Sequence, residues 1–341
     1  MRPFRYEHAA DREAALRAGR PSAAAAGEAH IRAPIQYLAG GTTLIDLMKL
    51  DVMRPEVLVD INGLARQHGE IRSGPDGLQL GALVRMADAA EHPAVRRDYP
   101  VIAQSLELAA SPQLRNMASL GGNVLQRTRC NYFRDVTWAA CNKRVPGSGC
   151  AAIGGLDRRM AVLGVSDHCI ANYPGDFAGA LAALGAAVDI EGPGGRRVIP
   201  FEELHRLPGD TPHIETSLAP GELITGFSVP AGPWTRRSLY LKIRDRQSYE
   251  FAIASAAVAL DLDGGVVREA RIGLGGVAAK PWRSHEAEAA LRGHPLTEAS
   301  AQAAAETAFA QAVVHAEDRF KPELGRRTLV RALLQCQAME I

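Results

Sequence analysis

The sequence predicts an α+β fold, and three observations carry that prediction. Apolar runs of strand length and amphipathic runs of helix length are interspersed without strict strand–helix–strand alternation. Two Gly-Gly loops, in LAGGTTLIDLMK and SPQLRNMASLGGN, stand beside predicted helices rather than between paired strands. The stretch from Val124 to Tyr173 has no clear periodicity, and it holds four of the five cysteines.

At 341 residues the chain is long enough for two or three domains. It is 47% hydrophobic and 23% charged, which suits a soluble globular chain with a real core. Lys plus Arg number 39 against 38 Asp plus Glu, so there is neither a basic footprint for nucleic acid nor a polybasic membrane patch. No apolar run approaches the roughly 18 residues a membrane span requires. The start, MRPFRYEHAADREAALRAGRP, lacks an apolar signal region. The expectation is therefore residence in the cytoplasm, or export while bound to a partner that carries the signal.

The elements follow in order. The Ala-rich segment Arg20 to Glu28 reads as a loop after a short helix. Ile35–Leu38 is a short strand, followed by a Gly-Gly turn and a helix with Leu44, Leu47 and Met48 at i, i+3, i+4. Thr43 and Asp46 have the spacing of a capping box at its start. PEVLVDI is a strand, and IRSGPDGLQLGAL a hairpin turning at Pro-Asp-Gly. A helix covers about Val101 to Ala110 and leads into the second glycine loop. After the cysteine-rich stretch, FAGALAALGA is helical, VDIEGPGGRRVIP is a hairpin, and ELITGFSVP and SLYLKIR are strands. The last third holds a strand pair around Asp-Gly-Gly at 263–265, then helices beginning near Ser284, Thr297 and Glu323.

A glycine loop between a strand and a helix lets backbone N–H groups approach a pyrophosphate closely. One such loop is a common turn, and AGGTTL lacks the G-x-G-x-x-G of a Rossmann domain. Two of them, flanked by hydroxyl residues, have the composition to grip one extended dinucleotide from two sides.

LAGGTTLIDLMK, LGALVRM, SPQLRNMASLGGN and YPGDFAGALAALGA, in that order, resemble the FAD-binding subunits of the molybdenum hydroxylases, the xanthine dehydrogenase and carbon monoxide dehydrogenase group. YLKIRDRQSYEFAIASAAVAL and GLGGVAAKPWRS are similar to the C-terminal domain of the same subunits. The resemblance covers nearly the whole chain. It implies a two-subdomain FAD-binding domain of the vanillyl-alcohol-oxidase type over 1–60 and 61–230, then a smaller α+β domain over 231–341. It implies that Ala39, Gly40, Gly41, Thr42, Thr43, Leu44 and Ile45 hold the FAD pyrophosphate. Ser111, Ser119, Gly121, Gly122 and Asn123 match the second FAD segment. Asp176 matches an acidic residue on the flavin side, and Ile224 and Lys242 match positions near the isoalloxazine ring. Two positions depart from the pattern: Met86 stands where many relatives carry a hydroxyl residue, and Glu250 near where Asp is commoner.

The cysteines form the pattern C-x10-C-x8-C-x18-C at Cys130, Cys141, Cys150 and Cys169. That lacks the tight pairs of structural zinc sites and the C-x2-C-x2-C of ferredoxins. Spacing alone leaves an iron–sulfur cluster, two disulfides or zinc open. Arg127, Arg129, Arg134, Lys143 and Arg144 surround the thiols and have the charge to offset a thiolate-ligated cluster, the alternative being a solvated loop face. Most members of the resembled group pass from the Gly-Gly-Asn loop to the Asp of YPGD in a few residues, so about 124–173 is an insert. The insert is similar to that of the FAD subunit of bacterial three-subunit aldehyde oxidoreductases acting on aromatic aldehydes, and of 4-hydroxybenzoyl-CoA reductase. That resemblance implies a [4Fe–4S] cluster on the four cysteines. Disulfides are the runner-up and require an oxidising compartment.

Cys336, on an amphipathic helix, reads as an inert buried thiol. His168 reads as a polar neighbour of Cys169. Tyr132, Phe133 and Trp138 read as packing for the insert, and Tyr249 and Phe251 as core. The resemblance thus implies an FAD and [4Fe–4S] electron-transfer subunit with no catalytic residue for the aldehyde. Its partners are a small [2Fe–2S] subunit, a large molybdopterin-cofactor subunit and an external acceptor, and the periplasm is the expected compartment by co-export. The competing classes are a self-sufficient flavin reductase, a reductase of the 4-hydroxybenzoyl-CoA type, and a zinc-shaped assembly module.

Overall fold

The computed structural model describes residues 1–19 and 30–341. The Ala-rich segment Arg20 to Glu28 lies outside the described residues.

The chain begins with β1 (Arg5–His8), α1 (Arg12–Ala18), β2 (Ile35–Leu38), α2 (Leu44–Lys49) and β3 (Val57–Asp60). The strands form a parallel sheet in the order β1-β3-β2. β3 is central and buried throughout, as its VLVD sequence requires. α1 and one face of this sheet share a small core with Val57, Val59 and Ile61. α2 turns the other way: Leu47 and Met48 pack with Leu58, Tyr132, Phe133 and three cysteines of the insert. The insert therefore completes the core beneath the first glycine loop.

Next come α3 (Ala65–His68), β4 (Ile71–Gly74), β5 (Gly77–Gly81), and the short helices α4 (Met86–Glu91), α5 (Pro93–Asp98), α6 (Pro100–Glu107), α7 (Pro112–Met117) and α8 (Leu120–Val124). α5, α6 and α7 each start with proline, which suits the first helical turn, where its missing N–H costs nothing. The expected helix over Val101–Ala110 ends at Glu107, and Ala110 adopts φ +48°. The insert contains α9 (Asn131–Arg134), and α10 (Asp176–Leu184) follows it. Then β6 (Ala187–Gly192), β7 (Gly195–Pro200) and β8 (Leu223–Pro230) join the earlier hairpin in the order β4-β5-β8-β6-β7. Every residue of α10 is buried, because FAGALAAL presents small or apolar side chains all round and the leading Asp176 is ion-paired to Lys242.

β9 (Ser238–Ile243), β10 (Ala254–Asp263), β11 (Val266–Gly275) and β12 (Trp282–Arg283) form the third sheet, covered by α11 (His285–Leu291), α12 (Glu298–Ala308) and α13 (Lys321–Gln337). α13 starts at Lys321, two residues before the expected Glu323. β10 serves two cores by simple alternation. Ala257 and Ala259 face the core of α4, α6 and α10. Ala254, Ala256, Val258 and Leu260 face the C-terminal helices. Among the described residues, no helix is long and apolar enough to cross a membrane.

The capping box expected at Thr43 does not form, since the Thr43 side chain makes no cap bond. Asp46 is turned outward to accept from Arg129 and Arg134, each at 3.1 Å, and two guanidiniums outcompete one backbone amide. A capping box does form at Thr297 and Ser300.

Candidate functional site

The first glycine loop lies between β2 and α2, on the wall of a cleft of about 320 Å³. Ala39 through Leu44 line it from one side, Ser119, Gly121 and Gly122 from another, and Ile224 closes the group. The two loops are thus brought face to face across one cavity, although 74 residues separate Leu44 from Ser119 in the chain. At Gly41 the backbone takes φ +72°, a region that a side chain disfavours. At Gly40 a Cβ would stand 1.9 Å from the Met117 carbonyl oxygen, so the loop fits only because the residue has no side chain.

The second loop is the first turn of α8 rather than an open turn. Ser119 caps it by accepting from the Gly122 N–H at 3.2 Å. Gly121 N–H donates to the Ala82 carbonyl, and Leu120 N–H to Val84. Ile224 sits at a β-bulge where β6 pairs with β8, and bulges re-aim side chains at the rims of sites.

Other expected residues lie away from this wall. Ile45 packs inward beneath the loop. Ser111 caps α7 by accepting from Leu114 N–H at 3.3 Å. Asn123 donates to the Met86 sulfur at 3.3 Å, and its buried side-chain oxygen has no partner among the described residues. Asp176 and Lys242 form an ion pair of 2.8 Å with side-chain exposures of 4% and 1%, which sets them inside the protein. Tyr240 donates to the other Asp176 oxygen at 2.6 Å, and Lys242 also donates to the Leu108 carbonyl. Burial pushes the Asp176 carboxyl up, and Lys242 and Tyr240 oppose that rise.

The cleft continues toward the insert past Arg127, Lys143, His205 and Glu215. Glu215 accepts from both Arg127 and Lys143. Burial works against the Lys143 ammonium, but Glu215 outweighs it and holds its pKa above the ordinary value. His205 is buried with its Nε2 2.8 Å from the Val124 carbonyl, which makes that nitrogen the donor. Desolvation lowers its pKa to about 4, so the ring is neutral.

All four insert cysteines line one small enclosed space, with His168, Lys143 and Phe133. They carry free thiols. Cys141 and Cys150 face each other in an isolated antiparallel bridge, and Cys169 pairs similarly with Ser166. Burial pushes Cys130 up to about 12 and Cys169 up to about 11, and neighbouring cysteines add to both. Such thiols are poor nucleophiles, and they ionise only on ligation. Among the described residues, no three His, Cys, Asp or Glu meet at the spacing of a single metal ion. The four thiols line one space, and four cysteine sulfurs are a donor set that could hold an iron–sulfur cluster.

The five cations around the thiols are not a solvated face. Arg127 and Lys143 hold Glu215, and Arg129 and Arg134 hold Asp46. Arg144 is buried and donates to the carbonyls of Tyr132, Phe133, Asp135 and Trp138. Asp46 and Glu215 are the anchors that sequence reasoning missed. Glu215 belongs to no motif and Asp46 was read only as a helix cap, and their partners lie 72 or more positions away. Phe133 is buried as expected, whereas Trp138 is half exposed against Tyr132. Phe251 stacks under Arg129, and Tyr249 is exposed rather than core. Cys336 is fully buried.

Residues 9–232 match the family described as the FAD binding domain in molybdopterin dehydrogenase, and 239–338 the CO dehydrogenase flavoprotein C-terminal domain. The chain is 46% identical over 340 residues to the aldehyde oxidoreductase FAD-binding subunit PaoB of Escherichia coli (strain K12), covering 99% of each. It is 27% identical over 276 residues to the carbon monoxide dehydrogenase medium chain of Hydrogenophaga pseudoflava, covering 81% of this chain and 78% of that one. The structure superposes on carbon monoxide dehydrogenase from the same organism with a TM-score of 0.74 at 25% identity, over 99% and 98% of the two chains.

Proposed function

The chain belongs to the FAD-binding subunits of the molybdenum hydroxylases, and from that premise we propose that it is the FAD and [4Fe–4S] electron-transfer subunit of an aldehyde oxidoreductase oxidising aromatic aldehydes. The observation that carries the reading is full-length identity of 46% to the FAD-binding subunit of an aldehyde oxidoreductase. Residues 1–60 and 61–230 are then the halves of the FAD-binding domain, and 231–341 the C-terminal domain.

In this reading, loop 39–45 cradles the pyrophosphate, while Ser119, Gly121 and Gly122 close on the dinucleotide from the opposite wall. Ser111 and Asn123 hold the second segment in shape, and Ile224, Asp176 and Lys242 belong to the flavin end. Bound FAD supplies the exchange between one-electron carriers and a two-electron acceptor. Cys130, Cys141, Cys150 and Cys169 hold the cluster, and the paired cations around them limit its net charge. No residue of this chain acts as acid or base on the aldehyde. That chemistry falls to a large subunit with a molybdopterin cofactor, linked to this chain by a small subunit with [2Fe–2S] clusters. The assembly resides in the periplasm, exported with a signal-bearing partner.

Quantifying flavin, iron and acid-labile sulfide on the anaerobically purified protein tests this. One FAD with about four irons and four sulfides per chain, beyond the partners' clusters, supports the reading. FAD without iron on this chain removes the cluster, and zinc without flavin removes the whole proposal.

A further inference from the structure

The two glycine loops approach each other from different sheets, and one side-chain pair links them. Asp60, at the end of β3, orients Asn62: its Oδ1 accepts from the Asn62 backbone N–H at 2.8 Å and from Nδ2 at 2.6 Å. Tyr6 donates to the other Asp60 oxygen. Asn62 Nδ2 also donates to the Ala39 carbonyl at 3.0 Å, which ties it to the first loop. With its amide nitrogen committed to two acceptors, Oδ1 must face a donor. That donor is Arg85, whose Nη2 lies 2.9 Å away. Arg85 Nη1 donates to the Met117 carbonyl at 2.5 Å, the same oxygen that presses on Gly40. Arg85 further pairs through its backbone with Ser119 of the second loop.

We infer that Asn62 and Arg85 form a clamp that sets the separation of the two glycine loops and thereby positions FAD. The inference rests on the FAD reading of the loops. Neither residue lines the cleft, so both are positioning residues, acting through Ala39 and Met117. The guanidinium is suited to this task because its fixed fork reaches two acceptors at once, which an ammonium on a flexible stem does not. Loss of a hydrogen bond to a charged group corresponds to roughly a tenfold loss of affinity or more.

The experiment is a double-mutant cycle on the full chain, with Asn62→Ala, Arg85→Met and both together, read as the FAD dissociation constant and the visible circular dichroism of bound flavin. Each single change is expected to raise the constant about tenfold, and the double no more than either single, because opening the clamp at one end frees the other. The flavin dichroism shifts in all three, while melting of the FAD-free protein distinguishes this from general loosening. Where Arg85→Met does not fold, Arg85→Lys carries the same test with the charge retained. Single variants within twofold of the parent, or losses that add, overturn the clamp. A parent chain that binds no FAD overturns instead the reading on which it rests.

Discussion

Lys242 Nζ lies 2.8 Å from Asp176 Oδ2, and neither side chain reaches solvent. The pair joins the start of α10 to β9 of the C-terminal sheet. Removing one partner leaves the other charge buried without its counter-charge, with one hydrogen bond remaining, from Tyr240 to Asp176 or from Lys242 to the Leu108 carbonyl. Lys242→Met is expected to cost about 3–5 kcal/mol, and Lys242→Met with Asp176→Asn to recover most of that. Denaturant unfolding of the FAD-free chain measures both, and equal loss in the single and double variants contradicts the pairing.

Gly40→Ala places a methyl against the Met117 carbonyl, and backbone must move to admit it. The expected stability loss is about 1–3 kcal/mol, with weakened FAD binding. Gly179→Ala is the contrasting substitution. It lies inside α10 with nothing within 4 Å of the new methyl, so a gain of up to about 1 kcal/mol is expected from helix propensity. Thermal melts and flavin titration of the two variants side by side decide the point.

His205 predicts a pH dependence. Its folded pKa of about 4 lies below the ordinary value, so between pH 4 and about 6.5 the unfolded chain holds a proton that the folded chain lacks. The stability it contributes is present above about pH 6.5 and is lost as pH falls toward 4, with a slope of up to about 1.4 kcal/mol per pH unit. His205→Gln keeps a donor for the Val124 carbonyl and removes the titration. Its urea midpoint should fall less steeply with acid than the parent's, and an unchanged slope would show that the proton is taken up elsewhere.

The cysteines divide into two classes by position. Serine at Cys130, Cys141, Cys150 or Cys169 is expected to lower iron and sulfide content sharply. Cys336→Ser should leave both unchanged, because its thiol is buried on α13 and donates to the Arg237 carbonyl at 3.3 Å. Metal analysis of the five variants checks this, and iron loss at Cys336 alone would reverse the assignment.

The loops and most of the strands were legible because their signals are local. Ile35–Leu38 is apolar at strand length, and IRSGPDGLQLG carries its own turn. The short helices over 86–98 were not read, since each is too brief to show a period and begins only where a proline or a packed neighbour permits. The capping spacing at Thr43 and Asp46 misled for the complementary reason. A pattern four residues long cannot report that Arg129 and Arg134, more than 80 positions later, bind the same carboxylate.

By itself, the sequence determined the α+β class, the order of most strands and of the longer helices, the two glycine loops and the clustering of four thiols. Each of these depends on residue type within a short window. Only the tertiary structure decided that the loops face one cleft, that the four thiols surround one space and that the cations between them are paired. It alone set Asp176 and Lys242 together in the interior, and Asn62 against Arg85. These are contacts between segments far apart in the chain, and their energies come from burial and charge pairing that exist only after the sheets have packed.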